Sequence, residues 1–223
     1  MEETCVYKEV CQNQAEECDK NCIRWAEMKY LLEESKVPST KYMMKKLRPF
    51  EVDLEAFRRL NKIKQRIEQF VEGGENLYIF STNYGNGKTS WATKLLGAYF
   101  NKVWAGNGLR PRGAFVHVPT FLRKNLEVIG KPDPEFEGFK EIIRTCDLVI
   151  WDDIGSTYIT DYDYKSMLAE VDNRMLYNKA NIFTGNLNEE QFRKALGDRL
   201  HSKIFRESIC IEFLGADRRG EDL

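Results

Sequence analysis

The residues best suited to chemistry form one short run, Asn83-Tyr84-Gly85-Asn86-Gly87-Lys88-Thr89-Ser90. It follows the apolar stretch Leu77 to Ser81 and opens a segment in which Trp91, Leu95, Leu96 and Tyr99 recur at helical spacing. Strand, glycine-bearing turn and helix in that order are the context in which backbone N–H groups point inward at a phosphate, with the helix dipole adding to the attraction. Gly85 and Gly87 allow the turn, Lys88 would reach the β- and γ-phosphates, and the Thr89 hydroxyl would bind Mg²⁺. All eight residues are therefore candidates for binding a nucleotide. The pattern GxxxxGK[ST] is broken at its first glycine, where Thr82 stands, so a glycine turn with a chance Gly-Lys-Thr is the plain alternative.

A second motif bears on that choice. Leu148-Val-Ile-Trp-Asp152-Asp153-Ile-Gly155 is an apolar strand ending in two acids. Magnesium is a hard cation that favours carboxylate or water-mediated ligation, which suits Asp152 at a strand end beside a phosphate loop. Asp153 is then the carboxylate placed to polarise an attacking water. A paired acid after a strand is often only a solvated turn, but the loop and the acid pair occur together by chance far more rarely than either alone.

These side chains need a scaffold, and the apolar pattern supplies one. From Asp53, a plausible helix N-cap, Phe57, Leu60, Ile63, Ile67 and Phe70 recur at steps of three and four, one face of a helix ended by Gly73-Gly74. Short apolar strands are predicted at 77–81, 113–118, 147–151, 181–184 and 208–213, separated by helical stretches. Such alternation predicts an α/β fold with a parallel five-stranded sheet covered by helices on both faces. The 223 residues carry 34 Lys or Arg and 35 Asp or Glu, for a net charge of −1. That balance and 42% hydrophobic residues exclude wholesale disorder. No apolar run is long enough to span a bilayer and the polar start lacks a signal peptide, so a cytoplasmic protein with no membrane partner is expected.

The charge is unevenly spread. Residues 1–22 hold six acids and two bases, whereas 41–66 hold nine bases and three acids, which points to different partners for the two segments. Cys5, Cys11, Cys18 and Cys22 fall in the acidic segment with spacing C-x5-C-x6-C-x3-C, ahead of a helical stretch over 22–34 and a lysine-rich linker. Four thiolates could close a tetrahedral Zn²⁺ site, and a reducing compartment favours metal over disulfides; free thiols on an acidic helix are the alternative. Cys146 and Cys210 sit beside apolar runs and read as core.

Taken with Asn181-Ile-Phe-Thr-Gly-Asn186-Leu, Leu196-Gly-Asp-Arg199-Leu-His-Ser-Lys203-Ile and Phe213-Leu-Gly-Ala-Asp-Arg218-Arg219, the motifs over residues 52–220 resemble the AAA+ ATPases of the bacterial helicase-loader type, DnaC and DnaI, with the transposition helper IstB as a relative. The resemblance implies a P-loop AAA+ ATPase domain over 51–223 without a C-terminal lid, and a small, mostly helical Cys-cluster module and linker over 1–50 that docks on a replicative DNA helicase. It implies ATP bound with Mg²⁺ between self-associated subunits. Asn186 becomes the sensor that holds the lytic water, and Arg199 or Lys203 the cation that reaches a neighbour's nucleotide; a strand-end turn residue is the alternative for Asn186, and an ordinary surface salt bridge on a helix for each cation. Arg218 and Arg219 fall at the family's terminal Asp-Arg motif.

Single-stranded DNA is the further partner the resemblance implies. Arg110, Arg112, His117, Phe121, Arg123, Lys124 and Lys131 would track its backbone and stack its bases, or else form a solvated helix face with the aromatics in the core. An IstB-like transposition helper, a nucleotide-switched adaptor that scarcely hydrolyses, and a P-loop small-molecule kinase are the other readings; the kinase fits Asn186 and Arg199 poorly.

Overall fold

The computed structural model describes residues 22–39, 43, 46–105, 108–156 and 160–217. Helix α1 (Ile23–Glu34) is followed by α2 (Leu54–Gln65), α3 (Ile67–Glu72), β1 (Asn76–Phe80) and α4 (Lys88–Val103). Then come β2 (Gly113–His117), α5 (Val118–Glu127), α6 (Pro134–Thr145), β3 (Leu148–Ile154) and α7 (Asp161–Leu176). The order closes with β4 (Ala180–Gly185), α8 (Glu189–His201), a π-helical turn (Ser202–Arg206) and β5 (Ile209–Glu212). The strands form one five-stranded sheet in the order β2-β3-β4-β1-β5, every pair parallel.

Successive strand residues face opposite sides of a sheet, and both sides here are apolar. Leu77 and Ile79 of β1, with Leu148 and Ile150 of β3, pack under α1, α2, α3 and α4. Tyr78 and Phe80, with Val149 and Trp151, pack under α5, α6, α7 and α8. That is the continuous hydrophobic reading of a strand buried on both faces. Met28 and Leu31 of α1 belong to the first of these cores, and Phe115 N–H donates to the Ser35 carbonyl at 2.7 Å. Residues 23–35, read in the sequence as part of a separate front module, are thus packed on the sheet domain.

Two local expectations need correction. The helix predicted from Asp53 to Gly73 is broken at Arg66, whose φ of −105° and ψ of 29° leave the helical well. Its guanidinium is drawn to Glu75, with Nη2 donating to Oε2 at 2.8 Å. Nor does the Asp53 carboxylate cap α2. It accepts instead from Leu214 N–H at 2.8 Å and Gly215 N–H at 3.2 Å, fastening the chain that leaves β5. A Cβ at Gly215 would run into the Phe50 ring and that carboxylate, so only glycine allows the approach.

Asp53 is 2% exposed, and its removal would orphan one buried and one part-buried donor. Hydrogen bonds to a charged group contribute about 1.5–3 kcal/mol each. Asp53→Ala should therefore lower unfolding free energy by about 2–3 kcal/mol, which urea denaturation with unchanged slope would measure.

Candidate nucleotide site

The carboxyl ends of β1, β3 and β4 open on a cavity of about 1110 Å³. Thr82, Tyr84, Gly85, Asn86, Gly87, Lys88, Thr89 and Ser90 line it on one side, and Asp152, Asp153, Thr184 and Asn186 on the other. Ligands of open α/β sheets bind in this position, outside the strand ends where the strand order reverses.

The turn between β1 and α4 is built by its own side chains. Ser81 Oγ accepts from Asn83 N–H at 3.0 Å and from Asn86 Nδ2 at 2.6 Å, which pins both limbs of the loop to the end of β1. Positive φ within it is confined to Gly85 at 67° and Gly87 at 94°. Thr82 is not among these residues, so the missing first glycine imposes no backbone strain. Lys88, 9% exposed, donates from Nζ to the Asn83 carbonyl at 3.0 Å and to Asn86 Oδ1 at 3.1 Å. Asn83 itself is not a lining residue: its Nδ2 donates to the carbonyls of Leu214 and Gly215 at 3.1 and 3.2 Å, and so holds the loop against the segment after β5.

The acid pair meets this loop directly. Thr89 Oγ1 donates to Asp152 Oδ1 at 2.8 Å, and Thr184 Oγ1 on β4 donates to the same oxygen at 2.7 Å. Burial pushes the Asp152 carboxyl above the usual carboxylate range, partly offset by those two hydroxyls. The register of β3 on β4 slips between Trp151 and Ile154, and within the slip Asp153 adopts φ 63°. A left-handed non-glycine residue costs about 1 kcal/mol or more and is concentrated at functional sites. The slip turns Asp153 away from its neighbour: its N–H donates to Thr184 Oγ1 at 3.0 Å, and its Oδ1 accepts from Asn186 Nδ2 at 3.1 Å. Asn186 Oδ1 is buried without a protein donor, an orphan that an ordered water would satisfy. His117 closes the far side, with Nε2 at 4.0 Å from Asp153 Oδ2 and Nδ1 at 2.8 Å from Thr120 Oγ1.

Magnesium takes few protein ligands and keeps several waters. One hydroxyl, Thr89, and one buried carboxylate, Asp152, at the same point of the cavity fit that demand. Asp152 is 6% exposed, a burial that costs stability when no cation is present. Asp152→Asn, which keeps an acceptor for both threonines, should therefore raise the metal-free melting temperature by about 2–4 °C while weakening magnesium-dependent nucleotide binding. Calorimetric melts with and without the metal test both halves.

Other predicted residues lie elsewhere. Arg199 and Lys203 do not line the cavity; both approach Asp172 on α7. Of the basic stretch, His117, Phe121 and Lys124 line the cavity, although Phe121 is almost fully buried, its ring packed against Phe136 and Trp151. Arg110 and Arg112 pair with Asp147 at the opposite, amino end of the strands. The stretch is therefore divided between two ends of the sheet and does not form one continuous path. Cys22 is free and half-buried, Cys146 is buried and Cys210 half-buried. Cys5, Cys11, Cys18, Arg218 and Arg219 fall outside the described residues, among which no group of His, Cys, Asp or Glu is arranged to hold a metal on its own. No described helix is long and apolar enough to cross a membrane. Thr184 stands inside the motif that ends in Asn186, but the sequence gives it no role of its own, and its place on that strand is the signal that could have found it.

Neither a protein-family model nor a curated protein sequence matches the chain. Among solved structures, the DnaC helicase loader superposes with a TM-score of 0.61 at 20% identity, over 74% of this chain and 93% of that one. The chain shares its fold with that structure. DnaI superposes with a TM-score of 0.59 at 18% identity, over 78% of this chain and 93% of that one. The replication initiator DnaA, bound to AMPPCP and single-stranded DNA, gives 0.62 at 16% identity, over 78% of this chain but only 50% of the initiator. The solved chains of DnaC and DnaI are each matched over 93% of their length.

Proposed function

We propose that this protein is an ATP-dependent loader of a hexameric replicative helicase, with ATP and Mg²⁺ bound in the cavity at the carboxyl ends of β1, β3 and β4. The observation that carries the reading is the 2.8 Å bond from Thr89 to Asp152, which joins the phosphate loop to the acid pair at one edge of the sheet. A triphosphate would displace the two neutral oxygens that hold Lys88 and take its ammonium instead. The N–H groups of 85–89, at the amino end of α4, would orient the β- and γ-phosphates. Thr89 and Asp152 would hold the magnesium ion, which neutralises charge on the phosphate oxygens when bound.

Asp153 would accept a proton from the attacking water, and Asn186 would fix that water through its unpaired amide oxygen. Arg199 and Lys203, which do not line their own subunit's cavity, would serve the cavity of a second copy and stabilise charge on the transferring phosphoryl group. The assembly would grip single-stranded DNA and deliver the helicase. Structural likeness to DnaC and DnaI over nearly their full lengths supports the loader reading above the other uses of this fold. The test is co-purification with the host's hexameric replicative helicase, with and without ATP. Capture of the helicase is expected; failure under both conditions would contradict the loader reading while leaving the ATP site untouched.

A further inference from the structure

Asp172, on α7, has no part in the chemistry set out so far. We infer that Asp172 is a positioning residue for Arg199 and Lys203, holding the two cations side by side for the triphosphate of a second copy of this chain. The inference rests on the inter-subunit role proposed above and adds to it the group that gives the cations their direction.

Arg199 Nη2 donates to Asp172 Oδ2 at 3.1 Å, and Lys203 Nζ stands 3.6 Å from Asp172 Oδ1. One carboxylate thus spans both cations, one on each oxygen. Lys203 also lies 3.7 Å from Glu207, so two acids bracket it. The backbone leaves the direction of these side chains open. Two residues before Arg199, Gly197 takes φ 76° and ψ 166°, a conformation close to glycine-only, which kinks α8. From Ser202 the chain passes into the π-helical turn that carries Lys203, a rare form of helix that is frequent at functional sites. Like charges four residues apart repel on a helix, and with no shared anion the two side chains would splay.

Asp172 is more than a surface ion-pair partner. Its Oδ1 is buried and makes no hydrogen bond, so that oxygen depends on the Lys203 ammonium 3.6 Å away for compensation. Arg199 keeps 68% of its side chain exposed, and a guanidinium has five donors in a planar fork, so its hold on Asp172 leaves most of the fork to meet a phosphate. The shallow groove beside the pair, about 330 Å³, is bounded by Asp172, Met175, Leu176, Lys203 and Glu207. Leu176 is 78% exposed there and would exclude water from the approaching anion. The ligand class is therefore the terminal phosphate oxygens of a nucleoside triphosphate held by another subunit.

The experiment measures ATP turnover against protein concentration, with single-stranded DNA and helicase present, for wild type, Asp172→Asn, Asp172→Glu and Arg199→Ala, alongside ATP affinity by titration. Asp172→Asn keeps the shape and removes the charge; it should lower turnover about 10-fold with ATP affinity unchanged, and Asp172→Glu should recover much of the loss. Mixing supplies the decisive reading. A Lys88→Ala subunit has no working phosphate loop but an intact Asp172, so equal parts of Lys88→Ala and Asp172→Asn should exceed the turnover of either alone. A loss in Asp172→Asn that mixing does not relieve would overturn the inference, because Asp172 would then act inside its own subunit. Wild-type turnover in Asp172→Asn with a collapse in Arg199→Ala would overturn it too, and leave the inter-subunit reading standing. Full turnover in both variants would remove the inter-subunit reading itself.

Discussion

Replacing Lys88 with alanine should reduce ATP affinity by at least about 100-fold, since a charge-assisted bond to phosphate contributes about 1.5–3 kcal/mol and the ammonium can make two. The loop should survive the change. Asn86 stays anchored through its 2.6 Å bond to Ser81, as does the Asn83 N–H at 3.0 Å, and the positive φ angles belong to Gly85 and Gly87, which are untouched. The melting temperature should stay within a few degrees of wild type. Titration calorimetry with ATP and magnesium reads the effect directly, and undiminished affinity would contradict the assignment of the loop.

Asp153→Asn should separate binding from hydrolysis. General-base catalysis contributes about 10²- to 10⁴-fold, so turnover should fall by roughly that factor while ATP affinity changes by less than about threefold. Asparagine tolerates the left-handed backbone that Asp153 adopts at φ 63°. Its amide oxygen can still accept from Asn186 Nδ2, which now lies 3.1 Å from the aspartate. The substitution therefore removes a charge and a basic oxygen while preserving the bulge. Steady-state phosphate release, measured with single-stranded DNA present, decides the matter; normal turnover would take the water-polarising role away from Asp153.

The strands and the glycine-bearing turn after the first of them were legible in the sequence because each is a local pattern. Leu77 to Phe80 and Leu148 to Trp151 are apolar on both faces, as strands buried on both sides are, and Gly87-Lys88-Thr89 follows the first of them after a six-residue turn. What local pattern missed was decided by contacts between distant segments. Asp53 has the residue type and position of an N-cap, yet two N–H groups at 214 and 215 compete for its carboxylate and win. The apolar steps from Phe57 to Phe70 continue without interruption, yet Glu75 draws Arg66 out of helical geometry.

Thr184 escaped notice for a related reason. Its role comes from the register that sets β4 beside β3, where one hydroxyl reaches both Asp152 and the Asp153 amide. The basic stretch from Arg110 to Lys131 looked continuous in the chain, but β2 carries its two ends to opposite edges of the sheet. Arg112 is spent on Asp147 at the amino edge, and Lys124 faces the cavity at the carboxyl edge. Spacing along the chain suggested the chemistry; pairing across the sheet decided which of those residues stand together.

The central claim is that one magnesium triphosphate lies between Gly-Lys-Thr and the twin aspartates. The most direct measurement is a crystal structure of the wild-type protein grown with a non-hydrolysable ATP analogue and magnesium. The account predicts β- and γ-phosphates against the amides of 85–89, Lys88 turned from Asn83 and Asn86 to the phosphates, and the metal between the Thr89 hydroxyl and Asp152. An analogue bound elsewhere, or a loop still closed on Lys88 at saturating nucleotide, would contradict it.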